Sequence, residues 1–262
     1  MRIAFFGDVV GRPGRRGLGI VLRQLRRQGP IDFVIANGEN AAGGKGIDVG
    51  SAEELQDAGV DVITTGNHVW QHREIAHYLE QNRRVLRPLN FAPGAPGDGW
   101  VACAAQDGTM VAVVNLIGRV FMGPADCPFR AIDAVLPAVG DAARIVIVDM
   151  HAEATSEKVA MGRFLDGRAT AVLGSHTHVQ TADEVVLPGG TAVLTDAGMC
   201  GPEDSILGVR ADRVLERFVK QLPVRFDVAA GPVIVQGAIV DIDHGSGRAT
   251  GIHRIRERVA PS

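Results

Sequence analysis

Seven side chains have the chemistry to hold metal and stand in positions that could bring them together: Asp8, Glu39, Asn40, Asn67, His151, His176 and His178. Each lies just past a short apolar run, where strands of an open α/β sheet deliver side chains to one crevice outside their carboxyl ends. Pooled, they offer carboxylates, amide oxygens and imidazoles, too many donors for one tetrahedral zinc, and no cluster of thiolates marks a structural zinc site. Mixed oxygen and nitrogen donors suit manganese or iron, and two divalent ions bridged by a carboxylate use the set economically. Two cations about 3.5–4 Å apart clamp the attacking and leaving oxygens of an in-line displacement, which points to phosphate esters attacked by a metal-bound hydroxide. The leaving oxygen then needs a proton, and His68, next to Asn67, is positioned to give it. The alternative is that His68 only hydrogen-bonds the ligand shell.

Taken singly, most of these residues have ordinary readings. Asp8, Asn40 and Asn67 could close local turns through their own side chains. Glu39 could be a solvated loop charge, and His151 a buried, hydrogen-bonded histidine. Ser175-His176-Thr177-His178 carries more weight, because imidazoles at i and i+2 of an extended segment point the same way. His72, His77, His244 and His253 read as surface polar positions, and Glu153, Glu157 and Lys158 as the acid-rich start of a helix. Asp196 to Pro202 is a strand-end loop able to line the same crevice. Gly38 to Gly46 superficially matches a phosphate-binding loop, but Glu39 stands where the first glycine belongs and Gly46 where Ser or Thr would bind magnesium. Lys45, on that glycine-rich rim, either meets a substrate phosphate or stays solvated.

The elements that must position these groups follow an α/β rhythm. Near-continuous apolar runs at 3–6, 33–36, 60–64, 111–116, 144–149, 169–173 and 191–195 read as strands covered on both faces. Leu18, Val21, Leu22 and Leu25 recur at helical spacing within Arg16 to Arg27. Ser51 reads as the N-cap of a second helix, and Ala211 to Gln221 as an amphipathic helix stopped by Pro223. Two runs, 233–242 and 251–255, flank His244-Gly245-Ser246-Gly247 as an antiparallel hairpin. Arg87 to Trp100, rich in Pro and Gly, reads as a surface excursion within one domain spanning 1–262.

With 262 residues, 46% of them hydrophobic, the chain has ample material for a sizeable core. A formal net charge of -3 gives no global attraction to nucleic acid or to an anionic membrane, so neither is expected as a stable partner. Cys103, Cys127 and Cys200 lie far apart and leave an odd thiol, and the short apolar run at the N-terminus is no signal peptide, so a cytoplasmic location is expected.

In order, Gly7-Asp8, Asn37-Gly38-Glu39-Asn40, Gly66-Asn67-His68, His151 and Gly174-Ser175-His176-Thr177-His178 resemble the five blocks of the calcineurin-like metallophosphoesterases. The wording around them, including Thr64-Thr65-Gly66-Asn67-His68-Val69-Trp70 and His151-Ala152-Glu153-Ala154-Thr155-Ser156-Glu157-Lys158, is similar to the YmdB-like branch. The resemblance implies a two-layered β-sandwich flanked by helices, with Asp8, Glu39 and His178 on one metal, and Glu39, Asn67, His151 and His176 on the other. His68 is the implied proton donor. It also implies action on small phosphodiesters, cyclic nucleotides (2′,3′ or 3′,5′) among them, and a homo-oligomer.

Two departures from the broad pattern stand out. Val10 occupies the histidine position of the usual first block, and Asn40 is the candidate replacement ligand. Glu39 takes the place of the usual bridging aspartate, which leaves iron and manganese both open. A regulatory or scaffold protein of RNA turnover that binds nucleotide, and a phosphomonoesterase of the same fold, are the rival readings.

Overall fold

The computed structural model describes residues 1–260. Its first strand, β1 (Arg2–Phe6), buries both faces: Ile3 and Phe5 point one way, Ala4 and Phe6 the other, and all four are sealed from solvent. Such a strand must lie between two apolar layers. From β1 the chain continues through β2 (Asp8–Val9), α1 (Gly11–Gln28), β3 (Phe33–Asn37), α2 (Val49–Asp57), β4 (Val62–Thr64) and α3 (Ile75–Gln81). It then builds a second sheet from β5 (Trp100–Ala104), β6 (Met110–Ile117), β7 (Ile145–His151), β8 (Ala171–Ser175), β9 (Val185–Val186) and β10 (Ala192–Leu194), with α4 (Pro128–Ala142) and α5 (Thr155–Phe164) between. Finally β11 (Met199–Pro202), α6 (Ala211–Lys220), β12 (Val233–Ile242) and β13 (Ala249–Val259) return to the first sheet.

The first sheet runs β2-β11-β12-β1-β3-β4, with β13 on β12, and the second runs β5-β6-β7-β8-β10-β9. Ile3, Phe5, Phe33 and Ile35 meet Val111, Val113, Ile147 and Leu173 between the sheets. Leu18, Leu22 and Leu55 cover the outer face of the first sheet, and Ile132, Val139, Met161 and Leu165 that of the second. The layering is helix, sheet, sheet, helix, the β-sandwich flanked by helices that the family resemblance implies.

Several boundaries differ from the sequence reading. Helix α1 begins at Gly11, ahead of Arg16, although its first turns are rich in glycine, a poor helix former. Gly14 lies where any Cβ would collide with the Cys200 carbonyl, so close approach to β11 overrides propensity. Helix α2 is capped by Asp48, whose carboxylate accepts the Ser51 N–H at 2.7 Å; Ser51 is inside the helix rather than its cap. Strand β13 runs from Ala249 to Val259 because it pairs with β12 along that whole length, up to Val233 opposite Val259; Arg254, Arg256 and Arg258 interrupt the apolar pattern there and hide the extension in the sequence. No helix among the described residues is long and apolar enough to cross a membrane.

Candidate metal centre

The strand ends converge as the spacing suggests. Asp8 lies in β2, Glu39 and Asn40 just past β3, Asn67 and His68 just past β4, His151 at the end of β7, and His176 and His178 beyond β8. Asp8, Glu39, Asn40 and His151 are buried, whereas His68 keeps about a third of its side chain exposed. Gly66 fits this crowd because a Cβ there would strike the His151 ring and the Glu39 carboxylate.

The donors form two groups that share Glu39. On one side His151 Nε2 lies 3.3 Å from Glu39 Oε1, 3.2 Å from Asn67 Oδ1 and 3.1 Å from His176 Nδ1. On the other, His178 Nε2 is 3.6 Å from Asp8 Oδ1 and 3.1 Å from Asn40 Nδ2, and Asn40 Nδ2 reaches Glu39 Oε1 at 3.2 Å. The Asn40 carbonyl oxygen faces His68 Nδ1 at 2.9 Å, so ligation through that oxygen requires the carboxamide to turn over.

Two observations fit this donor set to cations. Asp8 Oδ1 is buried with no hydrogen-bond partner among the described residues, a costly arrangement for a carboxylate left alone. Glu39, His151 and His176 each present a ligand atom, all within 4.8 Å of one another. The charges are poised accordingly. Burial lifts Asp8 to about 6 despite the nearby histidines. Burial works the same way on Glu39, but His151 and His68 outweigh it and hold the carboxyl well below its usual range. Burial would lower His151, yet Glu39, Asp8 and Asp149 overcome it and raise the imidazole to about 9. Burial, reinforced by the His151 charge, takes His176 down to about 3.

The Ser175–His178 segment differs from the extended geometry read from its letters. His176 and His178 have φ of 105° and 64°, left-handed conformations that non-glycine residues seldom adopt. The loop is clamped: the His176 N–H donates to Asp8 Oδ2 at 2.8 Å and the Thr177 N–H to Asp196 Oδ2 at 3.1 Å. Asp196 is held in turn by the buried Lys158 ammonium at 2.7 Å. Both imidazoles reach the site, but through a bent backbone rather than strand alternation.

Residues behind the donors escaped the sequence reading. Glu153, read as part of a helix start, precedes α5 and accepts from His176 Nε2 at 3.1 Å. Asp149 gathers Thr64 Oγ1, Ser175 Oγ and the Asn37 amide, at 2.5, 2.6 and 3.0 Å. Because Ser175 gives its proton to Asp149, His151 Nδ1 must donate to Ser175 Oγ, 2.9 Å away, which turns Nε2 toward Glu39. A carboxylate inside the apolar run Ile145-Val146-Ile147-Val148-Asp149 was the available signal. Glu157 keeps a structural role, accepting the Arg119 and Val120 N–H groups. Lys45 is exposed on the rim of the cleft, and its carbonyl lies 3.2 Å from His72 Nε2.

Comparison with known proteins matches this frame across nearly its whole length. The family model for YmdB-like proteins matches residues 4–255. A 2′,3′-cyclic-nucleotide 2′-phosphodiesterase of Bacillus subtilis (strain 168) is 45% identical over 255 residues, covering 97% of this chain and 96% of its own. A solved hypothetical protein from Thermus thermophilus superposes with a TM-score of 0.92 at 43% identity, covering all of both chains. A solved structure described as a novel phosphatase of Mycoplasma pneumoniae gives a TM-score of 0.92 at 32% identity, covering 100% of this chain and 94% of that one.

Proposed function

This chain belongs to the YmdB-like protein family, and from that premise we propose that it is a dinuclear-metal phosphodiesterase acting on small phosphodiesters, cyclic nucleotides in particular. The observation that carries this reading is Glu39, a buried carboxylate shared between two groups of donors. Asp8, Asn40 and His178 would hold one divalent cation with Glu39, and Asn67, His151 and His176 the other. Iron or manganese suits this oxygen and nitrogen set. When bound, the pair supplies Lewis acidity and a nucleophile at neutral pH. The name of the Bacillus subtilis relative favours a 2′,3′-cyclic nucleotide, with the 3′,5′ isomer as the other candidate.

The chain's own groups do the remaining work. With its carboxamide turned so that the oxygen meets the cation, Asn40 offers its N–H to His68 Nδ1. The transferable proton then sits on His68 Nε2, in a ring that lines the cleft, and goes to the leaving oxygen. Lys45, on the rim of the same cleft, is free to meet a phosphate oxygen. Three free thiols fit the reducing cytoplasm, and the exposed apolar side chains Leu215, Phe218 and Val219 of α6 fit a homo-oligomer.

His68→Ala tests the reading. Turnover of a 2′,3′-cyclic nucleotide should fall by about 10²- to 10⁴-fold with metal content retained. The loss on bis(4-nitrophenyl) phosphate should be smaller, because its leaving group needs no proton. Full turnover of the cyclic nucleotide by a metal-replete variant would overturn the assignment.

A further inference from the structure

We propose that Phe226 and Arg217 form a platform that stacks the base of a nucleotide whose phosphate lies at the metal centre. The inference rests on the phosphodiesterase reading and adds how substrate is chosen.

The cleft, of about 500 Å³, is lined by two unlike sets of residues. The polar ones are Glu39, Asn40, His68, His176 and His178 of the proposed metal centre, and the apolar ones include Val224, Phe226 and Val228, with Arg217 and Asp227 beside them. A molecule that fills it needs an anionic part and a flat apolar part, which describes a nucleotide. Phe226 is 40% exposed and, among the described residues, belongs to none of the hydrophobic cores, so its ring is available to a ligand. The Arg217 guanidinium carbon lies 5.3 Å from the ring centroid. Arg213 and Lys220 of the same helix both pair with Glu216. Arg217 makes no ion pair among the described residues and rests on the aromatic ring instead, its N–H edges free for acceptors on a base. Stacking on an aromatic face is tolerant of base identity, and a stacked guanidinium adds to it.

The platform is tied to the metal centre rather than merely near it. His178 Nδ1 donates to the Leu207 carbonyl at 3.0 Å, and the loop carrying Leu207 pairs with the segment carrying Phe226. Val209 bridges to Val228, the Arg210 N–H reaches the Asp227 carbonyl and the Ala229 N–H reaches the Gly208 carbonyl, each hydrogen bond 3.0 Å long. One hydrogen-bonded ribbon therefore links a proposed metal ligand to the residue next to Phe226, so phosphate at the centre and a base at the ring would be held by one connected segment.

The test compares adenosine 2′,3′-cyclic phosphate with 1-O-methylribose 2′,3′-cyclic phosphate, which lacks a base, on the manganese-loaded full-length protein. In Phe226→Ala the preference for the nucleotide, as a ratio of kcat/KM values, should fall roughly 10- to 100-fold through KM, and Phe226→Trp should restore it. An unchanged ratio in Phe226→Ala overturns the platform. If the unsubstituted protein cleaves neither ester, the 2′,3′-cyclic phosphodiesterase reading fails on its own. Calorimetric titration with adenosine 3′-monophosphate and ribose 3-phosphate then decides the platform. A base-dependent affinity that is lost in Phe226→Ala supports it, and equal affinities in the two proteins overturn it.

Discussion

Each imidazole of the centre has a second partner that fixes its ring: His151 Nδ1 on Ser175, His176 Nε2 on Glu153, and His178 Nδ1 on the Leu207 carbonyl. Such partners set which nitrogen is free and raise ligand basicity. Glu153→Gln should therefore weaken manganese binding about 10-fold, read by titration of chelated protein, while leaving the fold intact. The charges predict a proton count as well. At pH 7 His151, at about 9, carries a proton that a cation must displace, whereas His176, at about 3, has none to lose. Metal binding should release about one proton, measured by calorimetry in buffers of different ionisation enthalpy. For the chelated protein the stability contribution of His151 is full below 6.5 and is lost as pH rises through about 9. Asp8, raised to about 6, makes the folded state less favourable as pH climbs from 3.8 through that value. Asp8 acts below about 6 and His151 above 6.5, so it is His151 that makes the gain in Tm on adding manganese grow from pH 6 to pH 9.

At the scale of elements, the decisive piece is the bend after β8. Positive φ at two non-glycine residues costs about 1–3 kcal/mol each, and the surrounding clamps must hold it. Asp8 grips the His176 N–H and Asp196 the Thr177 N–H, with Lys158 buried behind Asp196. Lys158→Met leaves Asp196 without its cation and should cost about 3–5 kcal/mol in denaturant unfolding. The double substitution Lys158→Met, Asp196→Asn should recover part of that loss in stability but not the metal affinity, because the neutral amide grips Thr177 less firmly.

Across the whole molecule, the chain starts one sheet, builds the other, and returns to complete the first, so β1 lies between β3 and the late strand β12. Cys200, in β11 beneath α1, is fully enclosed by this closure, and burial pushes its thiol up to about 12. Cys103 and Cys127 are only partly covered. Iodoacetamide at pH 8 should modify Cys200 last, with a rate that tracks global unfolding; peptide mapping over time checks this.

Much was legible from letters alone. Apolar runs long enough to be covered on both faces marked the buried strands, the family resemblance implied the two-layered sandwich, and ligand-type residues after those runs marked the meeting point, because strand direction dictates which end of a sheet collects them. What the letters could not carry was contact between distant segments. Glu153 looks like a helix-start acid until the fold brings His176 to it, and Asp149 looks anomalous until Thr64 and Ser175 close around it. The early start of α1 was hidden because its glycines are chosen for closeness to β11, not for helix propensity. Phe226 and Arg217 carry no motif and meet only through packing. Local pattern thus determined the buried strands and the donor set, and the resemblance of the motif blocks implied the layers. Tertiary structure alone decided which nitrogen of each ring faces inward, how the His176–His178 bend is held, and what lies beside the donors, since these depend on side chains far apart in the chain that only folding brings within hydrogen-bonding reach.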